Sequence, residues 1–184
     1  MTNRVKLNRD QVEVDEVTIG RPVDGGVGLL RTFDAEVNLF VDETEEEVCI
    51  GTVSGWIDWK TWAENLLDGA DAISTDASTL AGGAAKWMKR NGDYADTALL
   101  VDSVFIEEEY RGNRLMGPVI DKLLDLLQLD PATTLVVTQP EPQIEGGGPY
   151  PDGAERDAAM ASLLKAVRAA GFRNVRGTPV YSRG

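Results

Sequence analysis

"ALLVDSVFIEEEYRGNRLMGPVIDKLLDLL", residues 98–127, holds the decision about the fold. Its first nine residues, Ala98 to Ile106, are apolar and rich in β-branched side chains except at Asp102 and Ser103. That pattern predicts a buried strand. The period then changes. Leu115, Val119, Ile120, Leu123, Leu124 and Leu127 fall on one stripe, with Asp121, Lys122 and Asp125 opposite. This spacing predicts an amphipathic helix over Leu115 to Leu129, with Pro131 marking its end. Between the two lies an acidic run, Glu107 to Glu109, and then Tyr110-Arg111-Gly112. A strand that turns sharply into a helix presents unpaired N–H groups and a partial positive charge at the turn. Gly112 lets the backbone approach a ligand, and Arg111 and Arg114 add forked donors, so the junction suits phosphate oxygens. Taken alone, an Arg-Gly turn is also an ordinary turn with surface charge.

The flanking sequence supplies the remaining elements. Residues 1–30, with Gly20, Gly25, Gly26 and Gly28, read as one early strand and a loop. Ala35 to Val41 alternates cleanly, Asp42 to Glu47 is an acidic turn, and Val48 to Ile57 returns as the second strand of a hairpin. A helical region extends from about Trp59 to Arg90, where Trp59, Trp62, Leu66 and Leu67 and then Ala72, Ile73, Leu80 and Trp87 recur at helical spacing. These aromatics suit a core better than a ligand cage. Asp93 to Thr97 is a turn. Thr134 to Thr138 is a second buried strand, Gln139 to Gly153 a Pro/Gly-rich loop, and Ala154 to Ala170 a helix stopped at Gly171. Arg173 to Tyr181 closes the chain as a strand. Hairpin, helices, strand, helix, strand, helix and strand make a single α/β domain over residues 1–184, a mixed sheet with helices on its faces.

Composition narrows the chemistry. The 184 residues suit one domain with one sizeable core. Acidic residues outnumber basic ones 31 to 18, a net charge of −13, which disfavours nucleic acid and anionic membranes and attracts cations. The same charge also serves simple solubility. There is no histidine, so the commonest general base and most zinc ligand sets are absent, and catalysis falls to carboxylates, Tyr, Ser or a cofactor itself. No metal is expected. The single cysteine, Cys49, excludes an intrachain disulfide and reads as a small buried residue of the hairpin. No apolar run approaches a membrane span, and the first residues lack the apolar core of a secretory signal, so a cytoplasmic protein is expected.

The stretch from residue 98 onward resembles the GNAT acetyltransferase superfamily. The family motif is a strand, then Arg or Gln, two variable residues, Gly, one variable residue, and Gly or Ala opening a helix. Here it starts at Arg111; Gly112, Asn113 and Leu115 fill the variable places, Arg114 stands where Gly is usual, and Met116 where Gly or Ala is usual. The ending "AAGFRNVRGTPVYSR", where a helix finishes in Gly171-Phe172 before a last strand, is similar too. Roughly residues 98 to 181 carry the resemblance, and the helices of the N-terminal half follow the hairpin instead of preceding it.

The resemblance implies a mostly antiparallel sheet with helices on both faces and two splayed parallel strands, and an N-acetyltransferase moving acetyl from acetyl-CoA to a primary amine of a small molecule or peptide. The acceptor implied by the charge is cationic. The backbone of Val104, Phe105 and Ile106 would pair with the pantetheine amides, and Arg111, Gly112, Asn113, Arg114, Leu115, Met116 and Gly117 would wrap the pyrophosphate. Thr134 to Thr138 would be the splayed partner. Asp102, a lone carboxylate in an apolar strand, is the candidate base. Glu107 to Glu109 read as a solvated run, of which one could hold a cationic substrate group. Family members often carry a catalytic Tyr four residues before the Gly-Phe pair. That place is Val167, which leaves Tyr150 in the preceding loop as the nearby substitute, or as a loop anchor. Dimers are frequent in the family. The other outcome is a GNAT-fold protein without catalysis that binds CoA or a partner.

Overall fold

A computed structural model describes residues 5–22, 30–41, 45–59, 63–92, 95–144, 148 and 150–184. Its elements run β1 (Val12–Pro22), β2 (Arg31–Val41), β3 (Glu46–Asp58), α1 (Ala63–Asp71), α2 (Thr75–Asn91), β4 (Thr97–Ile106), α3 (Met116–Leu126), β5 (Thr134–Thr138), α4 (Ala154–Ala169), β6 (Arg173–Asn174) and β7 (Tyr181–Arg183). The strands form one seven-stranded sheet in the order β1-β2-β3-β4-β5-β7-β6. Every pairing is antiparallel except β4 with β5, which is parallel.

Strand alternation puts a separate core on each face of the sheet. Leu99 and Val101 of β4 and Val136 of β5 join Val119, Ile120 and Leu123 of α3 and Val167 of α4 on one side. Ala98 and Leu100 with Leu135 and Val137 join Leu66 of α1 and Leu80, Ala84 and Met88 of α2 on the other. The central strands are therefore apolar on both faces, which is why β4 and β5 read as continuous apolar runs.

Three sequence expectations are corrected by local geometry. Cys49 is exposed, not buried. A bulge inserts Ile50 opposite the Val37–Asn38 step, so Ile50 takes the core position and Cys49 faces out. The helical region is two helices, broken at Ser74, whose side chain accepts from the Ala77 N–H and starts α2. Trp59 precedes α1, while Trp62 lies outside the described residues, as do Gly25, Gly26 and Gly28. The closing strand is a hairpin, β6 and β7, with Gly177 in its turn. No described helix is long and apolar enough to cross a membrane.

Candidate functional site

The two parallel strands differ in length. Pairing runs from Thr97 opposite Thr134 to Val101 opposite Thr138, and there β5 ends. β4 continues for five more residues, held by β3 alone. Glu107 N–H donates to Ile50 O of β3 at 2.9 Å, so Phe105 and Ser103 also aim their backbone groups at β3. Val104 and Ile106 aim theirs the opposite way, toward the edge that β5 has left. Among the described residues no strand covers that edge. Of the three residues expected to pair with a cofactor, Val104 and Ile106 thus offer backbone to the open side. Phe105 does not: its backbone is turned to β3, and its ring lies under the Arg111 guanidinium.

Asp102 marks the fork. It is the extra residue of a bulge, between Val101 paired with Gly55 and Ser103 paired with Ser54. The bulge shifts the alternation by one, so that Leu99 and Val101 before it and Val104 and Ile106 after it all pack on the α3/α4 core. Asp102 is exposed and lines a small cavity of about 140 Å³ with Thr32, Asp34, Ser54 and Trp56. Burial raises its pKa, and the carboxylate of Asp76, at the start of α2, raises it further. Although the residue as a whole is well exposed, its carboxyl lies close enough to the β3 surface to lose hydration. The Trp56 Nε1 is buried with no hydrogen-bond partner among the described residues. An open depression of about 310 Å³ adjoins this cavity and shares Asp34 and Ser54 with it, adding Glu16, Thr18, Glu36 and Thr52. Among the described residues its lining carries carboxylates and hydroxyls and no basic side chain. Sequence reasoning missed Trp56, Asp76 and this acidic wall, because all three meet Asp102 only through sheet pairing and the turn into α2.

The junction itself is ordered by its own side chains. Arg111 Nε donates to Ile106 O at 2.6 Å, and its guanidinium lies 5.5 Å from the centre of the Phe105 ring. Gly112 has φ +89°, a left-handed conformation suited to glycine. Arg114 has φ +58°. It stands where the resemblance wants glycine, and its backbone is left-handed although the residue is an arginine. Leu115 is buried and Met116 packs on the α3/α4 core, so neither side chain blocks the loop. Pro118 has no N–H, and Val119 N–H is satisfied by Leu115 O at 2.9 Å. The N–H groups of Met116 and Gly117 have no protein acceptor among the described residues and remain as the donors of the helix start. Asn113 turns away from them, toward the N-terminal segment.

The remaining candidates lie elsewhere. Tyr150 is half-buried ahead of α4, and no hydrogen bond joins it to Asp102. Val167 is buried in the core. Tyr110, in the short turn after β4, is half-buried, and burial followed by Glu109 raises its pKa above the ordinary phenol value. Comparison with protein-family models, curated proteins and solved structures finds no match to this chain.

Proposed function

We propose that the chain is a GNAT-like N-acetyltransferase that moves acetyl from acetyl-CoA to a cationic primary amine. The observation that carries this reading is the fork: β4 outlasts its parallel partner β5 by five residues and then turns through Arg111 and Gly112 into α3. An extended ligand arm laid along β4 would find the outward N–H and C=O groups of Val104 and Ile106. A diphosphate at its end would find Arg111, Arg114 and the open N–H groups of Met116 and Gly117. Arg111 spends its Nε on Ile106 O, which leaves the terminal guanidinium nitrogens as the donors for a phosphate. The acidic wall of Glu16, Asp34 and Glu36 beside Asp102 favours a cationic acceptor.

The chemistry asks little of the protein. The amine nitrogen attacks the thioester carbonyl, the C–S bond breaks, and CoA leaves as a thiolate. Holding the two reactants at the fork supplies most of the help. A strand N–H near Ile106 polarises the carbonyl. Asp102 takes the proton that the ammonium has to lose before its nitrogen can attack, since its raised pKa brings it closer to the working range of a base. Of the two protons that the nitrogen gives up on becoming an amide, one ends on the thiolate and the other in solvent.

A second reading keeps the fold and the cofactor but has no catalysis. It is favoured by Val167, a core residue at the place where the resemblance puts a tyrosine. Thermal shift with acetyl-CoA and CoA tests the part that both readings share, and Arg111→Glu should weaken CoA binding more than tenfold by calorimetry, the factor worth ~1.4 kcal/mol. Equal affinity in a folded Arg111→Glu protein would exclude the junction as the site. Release of free thiol with a panel of amines then separates enzyme from binding module.

A further inference from the structure

The loop at the junction does not stand on its own residues. Asn113 Oδ1 accepts from Leu7 N–H at 3.1 Å, and its Nδ2 donates to Val5 O and to Tyr110 O, each at 2.8 Å. One side-chain amide thus gives residues 5 and 7 the donor and acceptor that a neighbouring strand would give. The backbone joins in. Val5 N–H donates to Glu109 O at 3.0 Å, and Arg9 Nε donates to Asn113 O at 3.1 Å. Leu7 packs on the α3/α4 core and Val12 begins β1. The N-terminal segment is therefore anchored at both ends of the contact.

We infer that Asn113 is a positioning residue: by clamping residues 5–9 against residues 109–113 it holds the left-handed turn at Arg114, and with it the donors of the helix start, in the shape that receives the cofactor. The inference rests on the proposed acetyl-CoA site, but the clamp itself does not. Three observations support it. The residue after Asn113 has φ +58°, a conformation that an arginine adopts only at a cost and that its surroundings must therefore maintain. Asn113 O is taken by Arg9, outside the loop, and not by the first turn of α3. Both functional groups of the Asn113 amide are bonded to backbone, Oδ1 to Leu7 N–H and Nδ2 to Val5 O and Tyr110 O. Asn113 therefore contributes to cofactor binding without touching the cofactor.

Asn113→Ala and Asn113→Asp separate the outcomes. The Asp variant keeps the acceptor for Leu7 N–H but sets a carboxylate oxygen against the carbonyls of Val5 and Tyr110. Without any ligand, both variants should speed amide hydrogen exchange at Leu7 and across residues 109–115 by roughly tenfold or more, the scale of one lost hydrogen bond, while β5 amides stay protected. Unchanged loop exchange in both variants would overturn the clamp. With acetyl-CoA, KM should rise roughly tenfold while kcat at saturation stays within about twofold, a split that a general loss of stability does not produce. Lowering the pH should draw the Asp variant's cofactor affinity back toward that of the unmodified chain, because the protonated carboxyl regains a donor. Unchanged affinity alongside faster exchange would remove the positioning role. If the unmodified chain binds no CoA, the acetyltransferase reading falls and the exchange measurement alone decides the clamp.

Discussion

Asp102 stands where its ionised form is disfavoured. Burial and Asp76 hold its pKa above the ordinary carboxyl value. The folded chain therefore keeps the proton over a pH window in which the unfolded chain has already lost it. Above that window the ionised side chain costs the fold stability, and the cost disappears as pH falls through it. Asp102→Asn should accordingly raise the melting temperature at neutral pH, with the gain shrinking toward zero in acid. On the true acceptor the same variant should lose roughly 10²-fold or more in turnover, the usual size of a general-base contribution, with CoA affinity unchanged. The activity loss should shrink as pH rises and the amine deprotonates unaided. A melting curve that is identical to the parent's at every pH would mean that the carboxyl is fully hydrated, which would undercut its case as a base.

At the scale of elements, the β3–β4 pair shapes the fork. A Cβ placed on Gly55 would sit 2.0 Å from Leu100 O and 3.0 Å from Asp102 N, against backbone that cannot swing aside. Only glycine lets β3 close on the bulge. Gly55→Ala should therefore cost about 2 kcal/mol or more in urea unfolding, within the range of overpacking in a tight core. Nothing in "GTVSGWID", which reads as one continuous strand, announces this dependence. The sequence did reveal β5, α3 and most of β4 and α4: the two strands as continuous apolar runs, α3 by its helical stripe, and α4 by its lack of breakers between the Pro/Gly-rich loop and the stop at Gly171. It missed whatever depends on a partner strand. The bulge at Ile50 reversed the expectation for Cys49, and the bulge at Asp102 shifted Val104 and Ile106 onto the face of Leu99. Likewise Arg111, Gly112 and Arg114 stood out as a motif. The bonds of Asn113 to Val5 and Leu7 span more than a hundred residues, and no local pattern announces them.

For the whole molecule, the division of the two faces decides what is left open. Helices α3 and α4 cover one face of the sheet, and α1 and α2 cover β4 and β5 on the other. Over β1 to β3, that second face is left with Glu16, Asp34, Glu36, Thr52 and Ser54. Lys122 of α3 meets Glu13 of β1 at 2.6 Å on the opposite side, a half-exposed pair worth at most about 1 kcal/mol. The −13 charge is thus not spread evenly, and part of it is gathered beside the fork.

The open edge of β4 has one further consequence, and it concerns the company the protein keeps. A row of unpaired strand groups invites the strand of any neighbouring chain, including a second copy of the same one. Arg111 stands guard there: its guanidinium occupies Ile106 O and shields the Phe105 ring, and the exposed carboxylates of Glu107 and Glu109 repel an approaching copy. Arg111→Ala should leave the fold intact yet bring on light scattering sooner, or at lower protein concentration, during gentle heating. Scattering that matches the parent's would show that the edge needs no guard. In the unmodified chain, a cofactor lying along β4 would give the same protection, so a filled site would also keep the protein from aggregating.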